Sequence, residues 1–367
     1  FILMEINSNN KKYNFMNENK NYEDFWKFFK AREKEFFNTV KNNDEVEKNF
    51  LDEISPAIKN INENFFFLTG MCEDETAELI ITVDGNLKEI ANAEDFIATA
   101  PTIENWRLTA LKPESEIENV SINMNGFVFD KNNIFFYSND DQNYPDEIDL
   151  TFVHTDLNEE NENEIFNGTF IFLDNFLGEF NFVTQIDNYA IIGKDEAEKK
   201  LIPIEKLKDF LSWREKEFIE KYKGAKITTD DDSFSMLEAT LNNGFPLIAT
   251  VNSDLLKWDK KASHPWISVF RIEYNGDENN GFPNEEDYEK FNSIEDQLLA
   301  ELKSEDGNLN IGRETAENIR EIYFASKDFR KISKVLAATI QQYPEYVMSF
   351  EIYKDKYWQS FARYEMN

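Results

Sequence analysis

The stretch Trp266-Ile267-Ser268-Val269-Phe270-Arg271-Ile272-Glu273-Tyr274-Asn275-Gly276 reads as a strand ending at an Asn-Gly turn, and together with the elements downstream of it this strand decides the fold. Asn284, just after Pro283, is placed to cap a helix whose Tyr288, Phe291, Leu298, Leu299 and Leu302 share one face. Glu285, Glu286 and Asp287 fall in its first turn, where carboxylates suit the helix dipole. Asp306-Gly307 turns into a strand over 308–313, and 319–324 returns as its hairpin partner. Ser326 starts a last helix with Phe329, Ile332, Val335, Leu336, Ile340 and Tyr343 inward, Pro344 stops it, and 347–353 is the final strand. This β-α-β-β-α-β order predicts a ferredoxin-like domain, one antiparallel sheet with two helices on one face. A hairpin over 235–240 and 246–251, turning at Asn243-Gly244, extends or flanks that sheet.

Gly224 and Asp230-Asp231-Asp232 mark a boundary upstream. The expected fold class is therefore α+β in two domains: a flexible Asn-rich N-terminus over 1–21, an acidic α+β domain over 22–225, and the ferredoxin-like domain over 226–367. Apolar residues at spacings of three and four predict an amphipathic helix from Phe25 to Val40. A second helix is expected over 44–62, bent or divided by Pro56. Strands are expected at 65–69, 77–83, 106–111 and 122–129, with 134–137 pairing back across the 130–133 turn. A short helix near 92–98, a strand at 149–154, a helix over 159–177 closed by Gly178, a strand at 189–192 and a helix opened by Pro203 complete the domain. The run Arg32-Glu33-Lys34-Glu35-Phe36 recurs as Arg214-Glu215-Lys216-Glu217-Phe218, which suits either a duplication or two exposed, ion-paired helix faces.

Of 367 residues, 41% are apolar and 15% aromatic, ample for sizeable cores. The 34 Phe, and an excess of 31 Lys over 8 Arg, are explained by a bias toward residues with AT-rich codons. The net charge is −33, and it is concentrated: residues 51–200 carry 32 acids against 8 bases. A local field of that sign repels nucleic acid and anionic membrane and attracts basic partners. Cys72 is the single cysteine, so no intramolecular disulfide exists and a reducing, cytoplasmic compartment is expected. No apolar run approaches the ~20 residues that span a bilayer, and Phe1-Ile2-Leu3-Met4 is too short for a signal-peptide core.

Several elements of the C-terminal third occur in a set order: Gly281-Phe282-Pro283, then Gly312-Arg313 with Thr315, then Arg320-Glu321-Ile322-Tyr323-Phe324, then Trp358 and Tyr364. In these it resembles the bacterial domain-of-unknown-function family number 695, and more distantly RraB, the inhibitor of ribonuclease E. Phe282 and Ala325 depart from that pattern. The resemblance implies no established activity, and its RraB side implies action by binding an enzyme rather than by catalysis.

The chemistry-bearing residues point the same way. His154 and His264 are the only histidines, neither sits by a nucleophile elbow, and carboxylates flank Cys72. With two His and one Cys, a conventional zinc site is excluded, and no phosphate-binding glycine loop occurs. No cofactor is expected. The acids Asp140, Asp141, Asp146, Glu147 and Asp149, with Glu159 and Glu160, are candidates for contact with a basic protein. The loop formed by the first five reads either as solvated or as a calcium or magnesium site. Arg313, Arg320 and Tyr323 are candidates for a ligand face on the open side of the sheet, unless the arginines pair across strands with Glu314 or Glu321. The expected function is a non-enzymatic protein-binding module, an inhibitor or immunity protein. The alternatives are a small-molecule or divalent-metal-dependent enzyme and a structural module.

Overall fold

A computed structural model describes residues 18–225 and 228–365. The Asn-rich segment to residue 17 lies outside the described residues, and 18–21 already belong to the first helix. The chain is a mixed α+β protein with several sheets. It divides into two compact units. One takes the residues up to Ser138 and Leu150–Lys208, the other Asn139–Asp149 and Asp209 onward. The stretch 139–149 therefore belongs with the C-terminal unit although it lies within the N-terminal sequence.

In the first unit, α1 (Glu18–Asn42) and α2 (Asp52–Ile61) precede the antiparallel hairpin β1 (Phe66–Glu73) and β2 (Thr76–Thr82). The irregularity expected at Pro56 sits upstream instead, as a π-helical turn over Glu47–Leu51, and Pro56 is accommodated inside α2. Helix α3 (Leu87–Ala98), capped by the Asn86 side chain, crosses to β3 (Trp106–Ala110), which pairs parallel to β2. Phe25, Trp26, Phe29 and Phe36 of α1 pack on Phe50, Phe96 and Trp106, all buried. This aromatic core is what the three-four spacing of α1 foretold.

The expected strand over 122–129 is broken. Asn125 (φ +52°) and Gly126 (φ +87°) turn it back on itself as the hairpin β4 (Ile122–Met124) and β5 (Phe127–Phe129). β6 (Ile134–Asn139) does not fold back onto 122–129 as expected. It enters a four-stranded sheet with β7 (Asp149–His154), β8 (Asn188–Gly193) and β9 (Ile202–Pro203), in the order β8-β7-β6-β9. Between β7 and β8 run α4 (Glu162–Leu177) and α5 (Glu179–Gln185), joined at Gly178 with φ +80°. A Cβ there would lie 2.7 Å from the Glu114 nitrogen, so glycine is required on both counts. Pro203 precedes the first turn rather than opening it, and α6 (Leu207–Tyr222) follows.

The second unit is built on one six-stranded sheet. Its strands are β10 (Phe234–Thr240), β11 (Pro246–Asn252), β12 (Trp266–Glu273), β13 (Asn308–Ala316), β14 (Ile319–Ser326) and β15 (Val347–Lys354). The order is β10-β11-β13-β14-β12-β15, with antiparallel pairing throughout. A short helix, α7 (Ser253–Leu256), follows β11; α8 (Glu285–Glu301) follows β12 and α9 (Phe329–Gln342) follows β14. Asn284 caps α8 as its position predicts, accepting the Asp287 N–H, whereas Asp328 rather than Ser326 caps α9. The other face of the sheet is covered too. Leu255 and Leu256 of α7 and Trp358, Phe361 and Tyr364 of the closing segment form one core with Val251, Ile267, Leu309 and Tyr323. Among the described residues no helix is long and apolar enough to cross a membrane.

Candidate functional site

The seven acids picked out as partner contacts fall in different units. Asp140, Asp141, Asp146, Glu147 and Asp149 belong to the second, Glu159 and Glu160 to the first. Glu159 and Glu160 are exposed ahead of α4, and Asp140 and Asp141 are exposed in their loop. Asp149 accepts from the Asn139 amide at 3.0 Å, and Glu147 from Gln359 at 3.2 Å.

Asp146 is a different kind of residue. Its side chain is 9% exposed and takes hydrogen bonds from Lys221 Nζ (2.7 Å), Tyr222 Oη (2.8 Å) and Tyr357 Oη (2.7 Å). The Lys356 ammonium donates to its carbonyl at 2.5 Å, and Arg214 donates to the neighbouring carbonyl of Pro145 at 2.6 Å. Burial alone would raise this carboxyl, but the Lys221, Tyr357 and Tyr222 bonds outweigh it and hold the group below the usual carboxylate range. Asp146 therefore clamps 139–149 to α6 and to the segment after β15, and it is not a free acid awaiting a partner. Among the described residues no group of three or more His, Cys, Asp or Glu is placed to hold a metal ion, so the loop acids are not drawn together as a calcium or magnesium site would require.

Arg313, Arg320 and Tyr323 do not converge on an open face. Arg320 is 1% exposed under α8, with Nε on Thr315 Oγ1 (3.2 Å), Nη1 on Asn292 Oδ1 (2.9 Å), and the rings of Tyr288 and Phe291 against its guanidinium. Arg313 pairs with Glu295 of α8 at 3.0 and 3.1 Å, so neither Glu314 nor Glu321 is its partner. Tyr323 lies on the opposite face, where its hydroxyl donates to Glu321 at 2.6 Å and receives Arg363 at 3.3 Å. Tyr364 in turn donates to Glu314 at 2.5 Å, and Arg271 bridges Glu321 and Glu351. This face carries a continuous polar chain from β15 to β13, and burial pushes both tyrosine hydroxyls up, so they remain neutral donors.

Both histidines are internal. His154 is buried, with Nε2 on the Val128 carbonyl (3.2 Å) and Nδ1 accepting the Asp156 N–H (3.2 Å), and burial lowers its pKa. His264 is buried against Trp258, with Nδ1 2.9 Å from Ser263 Oγ; burial, aided by Lys327, pushes it down to about 3. Burial is also the main reason the Cys72 thiol is raised, with Glu78 and Glu73 adding to it against Arg107.

Two features of the first unit escaped the sequence reading. Glu179, fully buried, receives the Thr82 hydroxyl (2.6 Å) and the backbone N–H groups of Val83 (3.0 Å), Gly85 (2.9 Å) and Lys112 (3.1 Å). It stitches the end of β2 to the segment after β3. The other is an aromatic ledge in which Phe170 (42% exposed), Ile171 and Tyr189 (47% exposed) stand at the surface. They are backed by Phe182, whose ring lies 4.9 Å from that of Phe170 and 6.0 Å from that of Tyr189. A signal for it does exist: from 150 to 193, all within the first unit, the chain carries eight acids and no Lys or Arg. The base-free run and its aromatics are visible in sequence, but which of them face out is set by how α4 and β8 pack.

No curated protein and no solved structure matches this chain. The C-terminal third does match: residues 236–364, from within β10 to the end of the closing segment, fit the family of unknown function DUF695.

Proposed function

We propose that this protein is a non-catalytic binding module, cytoplasmic, that engages a basic protein through the acidic first unit and acts as an inhibitor or immunity protein. The observation that carries this reading is the ledge of Phe170, Ile171 and Tyr189 in a stretch that holds acids and no bases. Exposed aromatics supply binding energy once a partner excludes water, and a rim of one charge sign steers a complementary partner and selects against others. We further propose that the second unit is a ferredoxin-like domain widened by two strands. What supports this is the order β13-β14-β12-β15, with α8 after β12 and α9 after β14.

The test is affinity capture from lysate with the full chain and with a Phe170→Ala/Tyr189→Ala double variant. A specific basic protein should be retained at low salt. Its recovery should fall at least ~10-fold in the double variant, as expected for loss of hot-spot side chains. It should fall again near 1 M salt, where the screening length is about 3 Å. Capture that ignores both changes, or no specific basic partner at either salt, rules the reading out.

A further inference from the structure

The open edge of the six-stranded sheet is chemically unlike the other edge. β10 has one neighbour, β11, and pairs with it without a register shift from Phe234↔Asn252 to Thr240↔Pro246. The hydrogen bonds bracketing the pair, Ser253 N–H to Ser233 O (2.9 Å) and Leu241 N–H to Phe245 O (2.8 Å), show which residues face inward. In an antiparallel ladder such pairs alternate, so the odd-numbered residues of β10 bond to β11. The N–H and C=O groups of Phe234, Met236, Glu238 and Thr240 therefore point outward, along an edge with no partner strand among the described residues.

Edge strands are ordinarily blunted by Lys, Pro, a bulge or a cover. At the far side of the sheet, β15 carries Glu351 and Lys354. β10 has no Lys, Arg or Pro within it and no bulge, while Phe234 is 51% and Met236 68% exposed. Its charges are all of one sign. Glu238 is exposed on the strand, Asp230 and Asp231 are exposed just before it, and Asp254 holds the Ser233 N–H at 2.9 Å. A bare, apolar edge with a negative rim matches an extended segment that alternates apolar and basic residues. A second copy of this edge would set Glu238 and the aspartates of one chain against those of the other.

We infer that β10 is a docking edge that takes an extended basic-apolar peptide segment of a partner protein as a seventh strand. The backbone groups of Phe234, Met236, Glu238 and Thr240 supply the ladder, Phe234 and Met236 pack beside the incoming apolar side chains, and Glu238 with the flanking aspartates pairs with its cations. This surface is separate from the aromatic ledge, and either can fail without the other.

The probe is a synthetic peptide of alternating Lys and Val, long enough to span β10, titrated into the full chain by fluorescence anisotropy. Its comparator is the same peptide N-methylated at alternate residues, which keeps charge and apolar surface but cannot form the ladder. Met236→Pro removes one outward N–H and no bond to β11, so the sheet can keep its pairing. Met236→Lys guards against a variant that fails to fold, because it keeps the backbone and sets a cation against those of the peptide. Binding of the plain peptide, weakened at least ~10-fold by N-methylation and by either substitution, is the expected result. Equal binding of the N-methylated peptide, or of both folded variants, would show charge attraction without strand addition and overturn the inference. So would the absence of binding, or sedimentation showing that the chain dimerises through β10 and that Met236→Pro abolishes the dimer.

Discussion

The two compact units each bury a carboxylate at a junction, and they satisfy it by different means. In the first, Glu179 is held by three backbone N–H groups and a threonine hydroxyl, with no cation among those four donors. In the second, Asp146 is held by a lysine and two tyrosines, all side chains. Backbone donors are fixed by the fold and cannot turn to water, so losing their acceptor strands them. Side-chain donors can rotate, and Lys221 is half exposed. The first junction should be brittle and the second forgiving, and the remaining buried ionisable groups show whether that contrast extends across each unit.

Glu179→Gln should have the largest effect, about 3 kcal/mol or more, because an amide offers one acceptor oxygen and turns an NH₂ toward N–H groups. Hydrogen exchange at Val83, Gly85 and Lys112 reads it directly. If those amides stay protected, the junction is not what holds them.

Next comes His264. Its folded pKa of about 3 lies below the ordinary value near 6.5, so below pH 6.5 the unfolded chain takes up a proton that the folded one refuses. Stability is thus full above pH 6.5 and lost as pH falls toward 3, by about 2 kcal/mol between pH 6.5 and 5. The contribution is the difference in pH slope between the natural chain and His264→Phe in urea unfolding. Identical slopes would mean that the ring is protonated in place.

The smallest effect is expected from Asp146→Asn, about 1–2 kcal/mol, since Asn keeps one acceptor for the tyrosines and Lys221 can reach solvent. The Asp146 carboxyl is depressed, so its contribution is present above the unfolded value near 3.9 and fades as pH falls through the folded one. A variant whose deficit at pH 7 persists unchanged at pH 3 would show that Asp146 acts through shape and not charge. A cost as large as that of Glu179→Gln would erase the contrast between the junctions.

Local features were legible in the sequence wherever one or two residues decide them. Asn284 caps α8, Gly178 closes α4, and Gly244 turns the β10–β11 hairpin with φ +86°. Gly126 was equally decisive, but the apolar run on both sides of it read as one strand. The candidate face was misread for two reasons: Arg320 and Tyr323, three residues apart on β14, alternate to opposite faces, and Arg313 departs from the simple alternation of its own strand. Simple alternation along Leu309, Ile311 and Arg313 puts all three on one side of β13. The register instead shifts between Asn310 and Gly312, which leaves Ile311 unpaired and swings Arg313 to the side of α8 and Glu295. Gly312 permits this, since a Cβ there would lie 2.2 Å from the Thr250 carbonyl oxygen. Arg320 is drawn inward by Thr315 and Asn292, one across a hairpin and the other on a helix upstream.

By itself, then, the sequence determined the α+β class, the element order of the C-terminal third, the Asn284 cap and the hairpin turns, and the concentration of acid between 51 and 200. These stem from spacing, from residues with unusual backbone freedom and from charge counting, all properties of neighbours along the chain. Only the tertiary structure decided that Asp146 is a clamp while Glu159 and Glu160 stay exposed, that Arg313 turns to Glu295 of α8, and that β10 is left as a bare edge. Each of those depends on partners far away in sequence, and solvation and pairing are set by which groups meet in space.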